Sequence, residues 1–281
     1  MEFNRSVIDL IKERKSTRTY DGRALKEADL KKLDAYLYEL SNENEIKARF
    51  KIISNLGTSK DESKKLGTYG FIQGANSYVI GIMDKDVNDA VEFGYLFEKI
   101  VLFAADLGVQ TCWLGGTFKK ESFHEISDLN ENEFIPVISP VGHKKDKRSI
   151  IENTMRLAAG SDKRKPWSEL FFNKAMQPLN EKDEVIKQAL EMVRLGPSAS
   201  NKQPWRIIKD EDMFHFFICR TKNYGVSGYD LQLNDIGIAK CHFELALRES
   251  GIKGNWQSLN QADTSEGWEY VTSWTKQFPT R

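Results

Sequence analysis

Apolar residues recur at helical spacing in five stretches of this chain, and between them lie short runs rich in β-branched and aromatic residues. Val7 to Glu13 and Glu27 to Leu40 read as helices, separated by a turn at Asp21-Gly22. Glu92 to Leu107 is the strongest helical pattern, with Phe93, Leu96, Phe97, Ile100, Val101 and Ala104 forming one apolar face. Gly108 is placed to end it. Glu181 to Arg194 and Asp235 to Glu249 read as two more helices, the second ended by Gly251. Strands are predicted at Phe50 to Ser54, Tyr78 to Met83, Trp205 to Ile208 and Phe214 to Cys219. Phe134 to Val141 (FIPVISPV) reads as another, interrupted by proline. This alternation of elements predicts an α+β or α/β protein.

The same element order occurs twice. Gly94, Gly108 and Trp113 match Gly237, Gly251 and Trp256, each pair 143 residues apart. Phe50-Lys51-Ile52-Ile53 matches Trp205-Arg206-Ile207-Ile208 at a spacing of 155. Two shared glycines and a tryptophan on a shared element order point to an internal duplication, with residues 1–155 and 156–281 as related halves. Copies of this size are expected to pack as a pseudo-twofold pair, imitating a homodimer. The segment from Arg148 to Pro178 joins them; Trp167, Leu170, Phe171 and Phe172 give it apolar content, so it is expected to pack.

Composition narrows the possibilities. Lys and Arg total 41 and Asp and Glu total 41, a net charge of zero that favours neither nucleic acid nor an anionic membrane. No apolar run approaches the roughly 20 residues that span a bilayer. The N-terminal MEFNRSVIDLIKERKS lacks an apolar core before a cleavage site, so a cytoplasmic location is expected. Cys112, Cys219 and Cys241 are far apart and odd in number, which speaks against a disulfide framework or a zinc site. The four histidines show no helical i, i+4 pairing that would suggest metal ligands.

Four segments carry candidate chemistry. Arg14-Lys15-Ser16-Thr17-Arg18 puts three cations and two hydroxyls beside the first helix, donors suited to a phosphate. The same run also suits a solvated helix end, where cations complement the macrodipole. Gly196-Pro197-Ser198-Ala199-Ser200-Asn201-Lys202-Gln203-Pro204-Trp205 combines small residues, which let a ligand approach the backbone, with donors and acceptors for a sugar-like chain or heteroaromatic edge. It also suits an ordinary turn. Thr111-Cys112-Trp113-Leu114-Gly115-Gly116 offers backbone N–H groups, or a plain turn. Arg148 and Lys163-Arg164-Lys165 add cations for the same phosphate, or simply face water.

Together these segments resemble the nitroreductase superfamily of FMN enzymes, in particular its internally duplicated members. RKSTRTY resembles the family's Arg-rich phosphate motif, GPSASNKQPW its flavin-contacting loop, and LGVQTCWLGGTF the segment whose backbone amide faces flavin N5. PVGHKKDKRS and RKPWSELFF are similar to its C-terminal region, which adds a cation to the phosphate. The likeness runs from about residue 7 to 256. It departs from the ordinary family in order. The first half has ENEIKARF where the flavin loop belongs, and the second has Trp256-Gln257-Ser258 where the first has Trp113-Leu114-Gly115-Gly116. Each half keeps what the other lost, which implies one composite site per chain.

The resemblance implies an α+β, nitroreductase-like fold: two α/β halves packed as a pseudo-twofold dimer around antiparallel sheets. It implies FMN held at the phosphate by Arg14, Lys15, Ser16, Arg18 and Arg164, and along the ribityl chain and ring by Pro197, Ser198, Ala199, Ser200 and Asn201. Leu114, Gly115 and Gly116 would lie at the ring, with the Gly115 amide at N5. Electrons would pass from NAD(P)H to a nitroaromatic, quinone or similar acceptor, and no catalytic side chain or metal is nominated. One chain would suffice for the site, whether or not higher oligomers form. The alternative is a non-catalytic flavin-binding protein, a sensor or FMN store; flavin destruction or halide removal on the same scaffold is a weaker third reading.

Overall fold

The computed structural model describes residues 3–57, 71–87, 89–116, 118–146, 149–158, 160, 163–222, 224, 228–259, 264 and 266–277. Among the described residues seven α-helices and nine strands form. The helices are α1 Val7–Glu13, α2 Glu27–Asn42, α3 Ala90–Asp106, α4 Lys120–Ser127, α5 Ile150–Ala158, α6 Glu184–Leu195 and α7 Leu231–Glu249. The strands are β1 Arg49–Ile53, β2 Ser77–Asp84, β3 Gln110–Thr111, β4 Glu133–Gly142, β5 Phe171–Asn173, β6 Trp205–Asp210, β7 Met213–Ile218, β8 Gly254–Gln257 and β9 Glu269–Lys276. No helix among these residues is long and apolar enough to cross a membrane.

The strands make two sheets. One is antiparallel in the order β1-β2-β4-β3; the other runs β5-β6-β7-β9-β8, with β5 parallel to β6 and the rest antiparallel. Leaving β5 aside, the two sheets follow one order: the element before the long helix pairs inward, and the strand straight after that helix lies at the edge. β4 is one continuous strand, not the interrupted one its prolines suggested. The register against β2 shifts between Gly81 and Met83, opposite Ile135 and Pro136, so the missing proline donor falls at the irregularity.

Between the sheets α3 packs on α7. Every residue of α7 from Gln232 to Leu247 except Leu233 is buried, so this helix is surrounded by protein on all sides. Phe243, Ile236 and Leu247 join a core shared with α1 and the second sheet, and Phe93, Phe97 and Ile100 on α3 join one shared with α2 and the first sheet. The two helices touch backbone to backbone at Gly94 and Gly237. A Cβ on Gly237 would lie 2.0 Å from the Val91 carbonyl oxygen, and one on Gly94 would lie 2.3 Å from that of Asn234. Both helices end alike, on Gly108 and Gly251 at φ 76° and 78°, and the amides of Val109 and Ile252 reach back to Ala104 and Leu247.

The segment after residue 160 packs as anticipated. Leu170 and Phe171 are fully buried, Trp167 donates from Nε1 to the Leu179 carbonyl, and β5 extends the second sheet. Cys112 and Cys241 are buried and Cys219 is half-buried, all as free thiols.

Candidate functional site

The site begins at α1, a helix of two turns that is held at its start from both long helices. Glu249, the last residue of α7, accepts from Ser6 Oγ and the Val7 amide, while Asp106 at the end of α3 accepts from the amides of Asn4 and Arg5. Carboxylates here satisfy the orphan donors of the helix N-terminus and its positive end. α1 ends at Arg14 and the chain continues extended. Thr17 donates its amide to the Thr111 carbonyl, and the Arg18 carbonyl accepts from the Gln73 amide. Residues 14 to 18 are therefore fixed between β3 and the 71–76 turn.

This segment faces the loop that follows α6. The loop is strained: Ser200, Asn201 and Gln203 have φ of 46°, 56° and 48°. Non-glycine residues in this region cost of order 1–3 kcal/mol each and persist only where surrounding structure holds them. Here the holding contacts are visible. The Gln203 amide donates to Ser198 Oγ, the Ala199 amide to the buried Asp235 carboxylate at 3.0 Å, and Tyr224 OH to Ser200 Oγ. Asn201 Nδ2 donates to the carbonyls of Gly160 and Lys163, and its Oδ1 accepts from Arg164 Nη1. The Asn201 side chain thus ties the loop to Gly160, Lys163 and Arg164.

Two neighbouring cavities lie between the segment and the loop. A cavity of about 290 Å³ is lined by Lys12, Arg14, Lys15, Ser16, Arg18, Arg156, Arg164, Pro197, Ser198, Ser200 and Asn201. The second, of about 350 Å³, is walled by Trp113, Leu114, Gly115, Gly116, Ala199, Phe71, Tyr224, Leu231, Asn234, Asp235 and Ile238. Ser16, Arg18, Pro197, Ser198 and Ser200 line both. The first is cationic and the second mostly apolar, with a few polar groups on its wall. Every residue that the resemblance assigns to the cofactor lines one cavity or the other. Lys163 is exposed and Lys165 pairs with Glu169, so of that run only Arg164 reaches in. Arg148 lies outside the described residues.

Among the buried donors on these walls that have no hydrogen-bond partner among the described residues are Arg18 Nη1 and Asn234 Nδ2. A buried donor left unpaired is costly, about 1–3 kcal/mol, so on a cavity wall these two are positions that a ligand could satisfy. Arg18 stands at the junction of the cavities and Asn234 in the apolar one, the positions needed for an anionic group and for the polar edge of a ring. Arg14 is set differently. Its side chain is 6% exposed, and Nε lies 3.8 Å from Glu98 Oε1. Burial lowers the affinity of its guanidinium for the proton, while Glu98 acts against that.

Sequence reasoning did not find Arg156, Asn234, Asp235 or Tyr224. Burial pushes the Asp235 carboxyl well above the usual carboxylate range, against the Ala199 N–H. The signal that was missed is on α7, where polar side chains occupy positions that an all-round buried helix gives to apolar ones. Each of them must have a partner: Asn234 takes a bond from Tyr229, Asp235 from Ala199, and His242 meets Glu98. Gly115, nominated for its backbone, also has a packing reason, since a Cβ there would lie 2.4 Å from Leu231 Cδ2.

The family model described as "Putative TM nitroreductase" matches residues 6–247. Among solved structures, a "putative nitroreductase" of Thermotoga maritima MSB8 is 20% identical at a TM-score of 0.59, with 98% of this chain and 95% of that one covered. An FMN-dependent nitroreductase of Clostridium difficile R20291 is 18% identical at a TM-score of 0.40, over 50% of this chain and 90% of that one. A nitroreductase family protein of Clostridium difficile 630 is 20% identical at a TM-score of 0.40, over 60% of this chain and 96% of that one. No curated protein sequence matches. With the family model spanning both cavities and the whole-chain fold in agreement, the chain belongs to the TM1586-like nitroreductase family and is an oxidoreductase.

Proposed function

We propose that this chain holds one FMN between its two halves and passes electrons from NADH or NADPH to a nitroaromatic, quinone or similar small acceptor. The observation that carries this reading is the pair of joined cavities, one cationic and one apolar, with orphaned donors at Arg18 and Asn234. FMN would supply the two-electron chemistry that no side chain here offers. Arg18, Lys15, Ser16, Arg156 and Arg164 would hold its phosphate, and Pro197 to Ser200 would lie along the ribityl chain. Trp113 to Gly116 and Asn234 would enclose the ring and exclude water from it. Asn201 and Asp235 act one step back, by holding the strained loop.

The reading includes an internal duplication with one surviving site, and the packing supports a single site. Phe97 lies 4.6 Å from the Trp113 ring. The matching residue 143 positions on is Lys240, whose Nζ sits 5.0 Å from the ring of Trp256, the match of Trp113. Lys240 also lies over Tyr95 and pairs with Glu92, which matches Asp235. At the positions matching the walls of the ring cavity, a cation thus sits among a carboxylate and two aromatic rings.

Purified protein loaded with FMN is expected to release about one flavin per chain. Its visible flavin absorption should bleach when NADH or NADPH is added without oxygen, and return on addition of a nitroaromatic or quinone. Two flavins per chain, or FAD in place of FMN, would contradict the assignment. Bound flavin that neither nucleotide reduces would favour a sensor or store.

A further inference from the structure

Behind the wall shared by the two cavities lies a buried charge cluster that the flavin reading does not use. Glu98 on α3 and His242 on α7 are both 0% exposed, and Glu98 Oε1 stands 2.9 Å from His242 Nε2. His242 Nδ1 is 2.9 Å from the Met192 carbonyl, which only accepts, so Nδ1 donates there and Nε2 faces Glu98 Oε1. Glu98 Oε2 accepts from Trp113 Nε1 at 2.8 Å. The Arg14 guanidinium, with Nε buried and unbonded, has Glu98 as its ion-pair partner among the described residues. A single carboxylate therefore touches a wall of the ring cavity through Trp113, the phosphate segment through Arg14, and the second half of the chain through His242.

We propose that Glu98 is a positioning residue that couples the phosphate end of the cofactor site to its ring end. The proposal rests on the flavin reading above. With both its oxygens engaged, the carboxylate cannot turn, and the Trp113 indole is held edge-on to it. Arg14 is a buried cation that stays inside because Glu98 compensates it; without that anion its stable place is toward solvent. Arg14 opens directly into Lys15, Ser16 and Arg18, so displacing it disturbs the phosphate donors while the ring wall stays in place. His242 fixes the carboxylate from the opposite half, so the arrangement exists only when the halves are docked.

The test compares FMN with riboflavin, which has the same ring and no phosphate, by fluorescence titration of the flavin-free protein. Glu98→Gln keeps an acceptor for Trp113 and a partner for His242 but removes the charge. It is expected to weaken FMN about tenfold or more and riboflavin less than about threefold, the difference of a charge-assisted contact. Trp113→Phe removes only the indole donor and should weaken both flavins alike. Glu98→Gln combined with Arg14→Met, which removes the stranded cation, should bind FMN no worse than Glu98→Gln alone. If Glu98→Gln does not fold, Glu98→Asp, which keeps the charge but draws it back by one methylene from Arg14, is expected to weaken FMN over riboflavin in the same direction by a smaller factor. A folded Glu98 variant that binds FMN as the wild type does, or loses both flavins equally, overturns the proposal. A wild-type protein that binds neither flavin defeats the flavin reading instead.

Discussion

Arg18→Ala is expected to lower FMN affinity roughly 10- to 100-fold, the loss of one charge-assisted hydrogen bond at about 1.5–3 kcal/mol. Its Nη1 is buried at the junction of the cavities without a hydrogen-bond partner among the described residues, so that nitrogen makes no hydrogen bond there for the substitution to break. The flavin-free variant should therefore melt within about 2 °C of the wild type, as substitutions outside stabilising contacts do. Arg14→Ala should behave otherwise and lose stability as well, because Glu98 stays buried with less compensation. Arg49 pairs with Glu133 and Arg194 with Glu191, away from the cavities, so alanine at either should leave FMN affinity unchanged. Isothermal titration with FMN on all four variants checks this. If the four behave alike, the phosphate assignment is wrong.

Gly237→Ala is expected to destabilise the protein by about 3 kcal/mol, although alanine is intrinsically the better helix former by up to ~1 kcal/mol. The added Cβ would meet the Val91 carbonyl oxygen at 2.0 Å and the Tyr95 amide nitrogen at 2.5 Å. Both are backbone atoms of α3, so relief requires the two helices to separate along their length, and overpacking outweighs propensity. At roughly 2–4 °C per kcal/mol for a chain of this size, the melting temperature should fall by about 6–12 °C. Asn234, Asp235 and Ile238 lie in the same turns and line the ring cavity, so flavin binding should weaken too. A variant that melts at or above the wild-type temperature would mean that the helices do not meet at these glycines.

The same two glycines show what could be read from the chain and what could not. Gly94, Gly108, Gly237 and Gly251 are visible as a spacing, and the helices they mark run where apolar periodicity placed them, α3 beginning two residues early and α7 four. Their role as a crossing point is not visible, because which helix meets which is decided by tertiary packing. The Arg-rich segment and the proline-bounded loop were legible because their composition has few other uses. The roles inside the loop were not: the Asn201 amide, on the wall of the cationic cavity, also holds the carbonyls of Gly160 and Lys163. Arg156 was missed because α5 is short and its place depends on where the chain turns after β4. β5 has three residues and becomes a strand by pairing with β6, more than thirty positions further on, which no local pattern announces. Asp235 and His242 give no sign of their roles until the helix proves to be buried on all sides.

On the flavin reading, one chain docks its own halves to complete a site that draws Arg18 and Gly115 from the first and Ser198 and Asn234 from the second. A covalent link makes that docking intramolecular, so it does not depend on protein concentration. Light scattering coupled to flavin absorbance on the FMN-loaded chain measures mass and flavin in each eluting species. Flavin should accompany a species of 32.3 kDa, the mass of a single chain, at a ratio that does not change on dilution. Flavin found only in a dimer, and absent from the single-chain fraction, would contradict it.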